Sequence, residues 1–310
     1  MNFRSYSLEA KKTTKKKGHS SFYRYILLLA AALSLCAIVT AFLFYKNEQA
    51  KQTTLENPKI EMKVLPPKIK KELQYASSSA TFRVPIFLYH YVEYVQDKRD
   101  TIRQSLTINP FTFENQIQTL LTSGYTFMTV SELSDVLGGK RKLPNRPIIF
   151  TFDDGYRDFY TDVFPIVKKY NIKVTAYIVP GFIGKLNYMF MPQLDEVAKS
   201  GVVEIGTHTM HHYYLKGRIK ETVSYEVLES KRLLEEWLHI PVVSFAYPYG
   251  AFDDQTIDIV KNAHFTAAVS TVPGIEASEK NRFFLYRLRP GGRSGNELLR
   301  FLQQSKFSPW

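Results

Sequence analysis

From residue 82 onward the chain alternates short apolar runs with longer amphipathic ones. Apolar runs at 84–89, 147–152, 174–179, 203–206, 242–247 and 265–269 predict strands. The run at 147–152 is continuously apolar, as expected of a strand covered on both faces. Between these runs the spacing turns helical. Phe113, Ile117, Leu120 and Leu121 share one face of a helix predicted over 112–122, with Thr112 as its N-cap. Helices are likewise predicted over 158–170, 192–199 (ended by Gly201), 219–239 (stopped by Pro241) and 257–263. The alternation predicts an α/β fold of βα units on a parallel sheet, open or closed into a barrel. In either arrangement chemistry gathers at the C-terminal ends of the strands.

Before residue 82 the pattern is different. Residues 25–45 form a 21-residue stretch without a charge, long enough to span a hydrocarbon core of about 30 Å as a helix. Lys11, Lys12, Lys15, Lys16, Lys17 and Arg24 precede it, which predicts a cytoplasmic N-terminus with the rest of the chain outside. A cleaved signal peptide would have a shorter apolar core and a small-residue cleavage site, and Phe42-Leu43-Phe44-Tyr45-Lys46 offers none. Leu35 is too large for the residue preceding a lipid-modified Cys36. The expected layout is a basic cytoplasmic tail at 1–24, a single transmembrane helix at 25–45, a flexible Lys-, Gln-, Thr- and Pro-rich linker at 46–80, and a catalytic domain at 81–310.

Charge refines this layout. The formal net charge is +12, but residues 1–24 carry seven Lys/Arg against one acid and residues 46–80 carry seven Lys against four Glu. The remainder is close to neutral, so the basicity gives no footprint for nucleic acid. The single cysteine excludes a disulfide within the chain.

The polar residues cluster where the strands end. His90 follows the first strand, Asp153-Asp154 the 147–152 strand, His208 the 203–206 strand with His212 four residues on, and Tyr249-Gly250 the 242–247 strand. One Asp and two His make a three-ligand set for a catalytic divalent ion with a position left open for water; zinc suits imidazole, and iron, cobalt or nickel would also fit. A second carboxylate beside it can act as base, and a further His can protonate a leaving amine. Ion, water, base and acid together describe hydrolysis of an amide or ester. His211 is read as a bystander, His239 as a helix C-terminal cap, His264 as structural and His19 as part of the basic tail. Tyr89, Tyr91 and Tyr94 could stack on sugar rings or simply pack.

At this point the chain resembles the polysaccharide deacetylase family (the NodB-homology domain, carbohydrate esterase family 4). Thr151-Phe152-Asp153-Asp154-Gly155 is similar to its first motif, His208-Thr209-Met210-His211-His212 to its second and Tyr247-Pro248-Tyr249-Gly250 to its third. The resemblance covers roughly residues 82–310 and implies a distorted seven-stranded (β/α) barrel. It implies Asp153 as catalytic base, Asp154, His208 and His212 as metal ligands, and the Tyr249 backbone N–H as an oxyanion donor. Two departures stand out. Ala246 holds the place of the third motif's Arg, and no His occurs after His264 to serve as the acid of the fifth motif. Phe87-Leu88-Tyr89-His90 has the character of that motif, moved ahead of the first. This order is similar to the circularly permuted branch that deacetylates poly-N-acetylglucosamine. It implies His90 as general acid and Arg287 as substitute for the missing Arg, with Arg289 as the alternative.

The function expected is metal-dependent removal of N-acetyl groups from N-acetylglucosamine units of an extracellular or cell-wall polysaccharide, poly-N-acetylglucosamine or peptidoglycan. An O-acetyl esterase on xylan or cell-wall glycan, or a non-catalytic membrane-tethered glycan binder, are the rival readings. The expected partners are the polysaccharide and, through the N-terminal helix, the membrane, with no nucleic acid.

Overall fold

Inward and outward residues alternate along each strand of the domain, and this alternation builds both its core and its site. The structure, a computed structural model, describes residues 80–305 except 96 and 98. Its strands are β1 (Thr81–Arg83), β2 (Ile86–Tyr89), β3 (Tyr91–Val92), β4 (Thr107–Ile108), β5 (Thr126–Phe127), β6 (Pro147–Phe152), β7 (Val174–Ile178), β8 (Val203–Thr207), β9 (Ser244–Ala246), β10 (Ala267–Val269) and β11 (Glu276–Ser278). Its α-helices are α1 (Thr101–Leu106), α2 (Pro110–Thr122), α3 (Val130–Leu137), α4 (Phe164–Tyr170), α5 (Met191–Lys199), α6 (Lys220–Leu238), α7 (Asp254–Asn262) and α8 (Gly295–Gln304).

The main sheet runs β10-β9-β8-β7-β6-β2, with every neighbouring pair parallel. Its two ends are joined by the segment 285–288. Leu285 bridges Val269 of β10 and Leu288 bridges Phe87 of β2, both in parallel sense. Ser270 N–H donates to the Leu285 carbonyl at 2.8 Å and Leu88 N–H to the Leu288 carbonyl at 2.9 Å. Six regular strands and one irregular stave thus make a closed circuit, which fits the barrel expected from the sequence.

Two apolar clusters divide the strands by parity. Phe87, Tyr89, Ile148, Phe150, Phe152, Val174, Ala176, Ile178, Val203 and Ile205 pack outward into the large cluster shared with the helices. Val84, Ile86, Ile149, Tyr177, Ala246, Ala267, Val269 and Leu285 form a second cluster in the bore. Gly206 belongs to the inward set because Tyr177 fills the bore, and a Cβ there would lie 2.5 Å from the Tyr177 ring. Continued past the strand ends, the inward parity places His90, Asp153, His208 and Arg287 at one mouth of the bore.

The opposite mouth is plugged by α3, which the apolar spacing did not predict. Val130, Leu133, Val136 and Leu137 enter the bore cluster. The N–H groups of the helix start, which have no intrahelical partner, find inward acceptors: Val130 N–H donates to Thr175 Oγ1 at 3.1 Å and Ser131 N–H to Glu204 Oε2 at 2.9 Å. A capping box of Thr129 and Glu132 fixes its first turn.

Some predicted boundaries move for local reasons. Asn109, not Thr112, is the N-cap of α2: its side chain accepts from Thr112 N–H, and Pro110 takes the first helical position, where a missing N–H costs nothing. The helix predicted over 158–170 opens as a π-helical turn, Phe159–Val163, and tightens into α4 around Pro165. His239 caps α6 in a left-handed conformation (φ 54°) as predicted for a helix end. The expected tail, transmembrane helix and linker, residues 1–80, lie outside the described residues apart from Ala80. Among the described residues no helix is long and apolar enough to cross a membrane.

Candidate active site

Asp153 ends β6 on its inward side and is almost fully buried. Arg287, carried by the closing stave, grips it with both branches of the guanidinium: Nη1 donates to Oδ1 at 2.7 Å and Nη2 to Oδ2 at 2.8 Å. The fork is itself held, since Nε donates to the Ser270 carbonyl at 2.7 Å and Nη1 also reaches Thr151 Oγ1 at 3.0 Å. Thr151 in turn donates to the Phe87 carbonyl at 2.7 Å, tying β6 to β2 under the site. Burial alone would push the Asp153 carboxyl up. The Arg287 charge and its two hydrogen bonds outweigh burial and hold it well below the usual carboxylate range.

In an extended strand Asp154 would point away from Asp153. Instead Asp154 (φ 78°) and Gly155 (φ 76°) turn the chain through the left-handed region. The turn brings Asp154 Oδ1 to 3.3 Å from His212 Nε2 and 3.6 Å from His208 Nε2. The ligand atoms of these three residues all lie within 4.8 Å of one another. His208 Nδ1 donates to the Ala246 carbonyl at 2.7 Å, which fixes the tautomer and leaves the Nε2 lone pair facing inward. Burial drives both imidazoles down in pKa, toward the neutral form that ligates metals. Burial, with the Asp153 charge adding, pushes Asp154 up to about 6, and its buried Oδ1 has no hydrogen-bond partner among the described residues. An orphaned carboxylate oxygen facing two neutral Nε2 atoms is the donor set of a divalent cation, so the residues fit such an ion.

His90 lies on the same mouth. Burial lowers it to about 4; the Asp153 charge opposes the shift, while Arg287 and Arg289 assist it. Tyr249 lies on the rim, 63% exposed, with its ring 4.7 Å from that of His212. Its backbone is left-handed (φ 60°), as is Gly250 (φ 68°), where a Cβ would lie 2.0 Å from Thr271 Oγ1. The third-motif turn therefore requires glycine at 250. His90, Asp153, Asp154, His208, His212, Tyr249 and Arg287 are thus all at this mouth. Of the two arginines considered for Asp153, the one in contact is Arg287.

Two participants escaped sequence reasoning. Thr151 stood in the first motif without a role, yet it accepts from Arg287. Glu226 of α6 is buried and bonds His211, whose Nδ1 lies 2.9 Å from its Oε1, while His211, as expected, stays outside the Asp154, His208 and His212 set. An acid set among the buried Val223, Val227 and Ser230 was the available signal.

Residues 140–268 match the family model described as polysaccharide deacetylase. The chain is also 26% identical to YxkH of Bacillus subtilis over 284 residues, 91% of this chain and 98% of that one. Residues 140–268 thus carry a polysaccharide deacetylase domain. The poly-beta-1,6-N-acetyl-D-glucosamine N-deacetylase of Staphylococcus aureus is 26% identical over 237 residues, 70% of this chain and 81% of that protein. The solved Streptococcus pyogenes deacetylase PplD, in complex with acetate, superposes with a TM-score of 0.67 at 28% identity, over 73% of this chain and all of that one. The protein is accordingly a hydrolase. The span matched by the polysaccharide deacetylase model holds Asp153, Asp154, His208, His212 and Tyr249. His90 and Arg287 lie outside it, on the two ends of the domain that the closing stave brings together.

Proposed function

We propose that this protein hydrolyses the N-acetyl groups of N-acetylglucosamine units in an extracellular polysaccharide and releases acetate. The observation that carries the reading is the pairing of two unlike carboxylates at one turn. Asp153 is clamped and ionised by Arg287, and the neighbouring Asp154 faces two imidazoles with a free oxygen. The permuted order of His90 and the naming of the S. aureus relative favour poly-β-1,6-N-acetylglucosamine over peptidoglycan as the polymer.

Asp154, His208 and His212 would hold the divalent ion, zinc being the best match to two imidazoles and one carboxylate. When bound, that ion supplies a Lewis acid for the acetyl carbonyl and an acidified water. Asp153 accepts the proton of the attacking water, its orientation set by the Arg287 fork. The Tyr249 backbone N–H donates to the carbonyl oxygen as negative charge develops there. His90 is neutral at rest, takes up a proton from solvent as that charge builds beside it and passes it to the departing glucosamine nitrogen, while Asp153 returns the proton it accepted to solvent. Residues 25–45 anchor the chain in the membrane with this domain outside the cell.

Acetate release by the full-length protein on poly-β-1,6-N-acetylglucosamine, peptidoglycan and O-acetylated oligosaccharides tests the assignment. The N-acetyl substrates should be preferred, and chelation should abolish release. Asp153→Asn and His90→Ala should each lower release by about 100-fold or more. Parent-like activity in either variant would sink the scheme, and preference for the O-acetyl substrates would replace it with the esterase reading.

A further inference from the structure

The loop carrying His208 and His212 is held in an unfavourable shape. Thr209 (φ 65°) and His212 (φ 58°) are both non-glycine residues in the left-handed region. Such backbone persists only where the surroundings over-determine it. Part of the constraint is local, because Thr209 Oγ1 accepts from Tyr213 N–H at 3.1 Å. Much of the rest comes from one residue on a neighbouring helix.

We infer that Glu226 is a positioning residue for the candidate metal centre, acting through His211 on the loop that presents His208 and His212. The inference rests on reading Asp154, His208 and His212 as that centre. Glu226 is 4% exposed and sits on the inward stripe of α6 between the buried Val223 and Ser230. Its carboxylate spans His211: Oε2 accepts from the His211 backbone N–H at 2.8 Å, and Oε1 accepts from the ring Nδ1 at 2.9 Å. Its own backbone carbonyl accepts from Met210 N–H at 3.0 Å. The Met210 carbonyl is taken from the other side by Gly181 N–H at 3.0 Å. Position 181 admits only glycine, since a Cβ there would lie 2.5 Å from that carbonyl.

Met210 and His211 are therefore fixed by three hydrogen bonds to a single helical residue, and His212 is the next residue in the chain. His211 is not a ligand in this arrangement. Its Nδ1 is engaged by Glu226, and its ring stacks over Tyr225 with centroids 6.2 Å apart. Its part is to transmit the rigidity of α6 to its neighbour. A metal site holds its ion tightly only when its ligands are oriented before binding, and partners behind the ligands supply that orientation.

The test is zinc affinity of the metal-stripped full-length protein, measured by competition with a chromophoric chelator, with the melting temperature of each stripped variant recorded alongside. Glu226→Ala should bind zinc about 10- to 100-fold more weakly than the parent. Glu226→Gln keeps an acceptor for the His211 amide and should fall between the two. His211→Ala removes only the half-exposed ring, so it folds even if Glu226→Ala does not, and it too should bind more weakly. Excess zinc should restore its kcat. Parent-like zinc affinity in both His211→Ala and Glu226→Gln would overturn the inference, as would a lowered melting temperature with affinity unchanged. Asp154→Asn serves as reference. If it also binds zinc like the parent, the metal centre itself is misplaced, and that outcome is distinct from failure of Glu226 alone.

Discussion

Arg287 meets two demands that pull against each other. Its guanidinium has to stay buried at the bottom of a polar mouth, and it has to leave Asp153 in one orientation. Both are met because the fork geometry gives two parallel bonds to the carboxylate while Nε and Nη1 find further acceptors behind it. Lysine offers a point charge without the fork. Arg287→Lys should therefore fold but lose acetate release by about 100-fold, on the scale of a misoriented base. Arg287→Ala should also cost about 3–5 kcal/mol in a urea melt, because it strands a buried carboxylate. A Lys variant with parent-like turnover would show that orientation of Asp153 is unimportant.

Asp158 is a further buried carboxyl, away from the candidate metal ligands. Its Oδ2 accepts from Val92 N–H at 2.6 Å, and its Oδ1 has no partner among the described residues. Burial raises it to about 7; the Val92 hydrogen bond opposes the shift, Glu93 adds to it and Arg103 counters. A carboxyl raised in the folded state binds its proton more tightly there than in the unfolded chain. Its contribution to stability therefore falls as pH rises from about 4 to about 7 and is level beyond. Asp158→Asn keeps an acceptor for Val92 and carries no charge. Its stability relative to the parent should climb across that window, by at most about 4 kcal/mol. Melts of both proteins at pH 4.5 and pH 8 check this, and an equal difference at the two pH values would contradict it.

Among the elements, α2 does more than cover the sheet. Gln116, fully buried, accepts from Tyr89 Oη at 2.8 Å and donates to the Gly291 and Arg293 carbonyls at 2.8 and 2.7 Å. It thereby stitches the end of β2, just before His90, to the chain that follows the closing stave. Gln116→Leu would leave a hydroxyl and two carbonyls without that partner. It should destabilise the domain by about 1–3 kcal/mol in urea unfolding followed by fluorescence. The elements that were legible in the sequence share one property: their own residues signal them. The apolar runs of β6, β7 and β8 and the long stripe of α6 announce themselves. The closing stave does not, because Leu285-Tyr286-Arg287-Leu288 is too short to show a period and gains its hydrogen bonds only from strands far away in sequence. The α3 helix was missed although Thr129 and Glu132 spell a capping box, because its eight residues are too few for periodicity to emerge. The site followed the same division. Motif residues were visible where strands end, whereas Glu226 acquires its role only through a helix packed against the loop it holds.

At the level of the whole molecule, strand parity turns a list of separated residues into one mouth, and α3 closes the other end so that chemistry is confined to a single face. If residues 25–45 anchor the chain as proposed, deleting residues 1–45 should move deacetylase activity from the membrane fraction to the soluble one. Activity that stays with membranes would point to another attachment.

The closing stave also has a consequence for how the protein comes into being. Arg287 and Asp153 are 134 residues apart in the chain, and parallel strands joined over such distances form slowly because the intervening loop must close first. Until the stave docks, Asp153 is an ordinary carboxylate with no fork around it, and the mouth lacks one wall. A chain still emerging from the ribosome therefore has no assembled site. Competence waits until segment 285–288 slides between β10 and β2, the two end strands of the sheet.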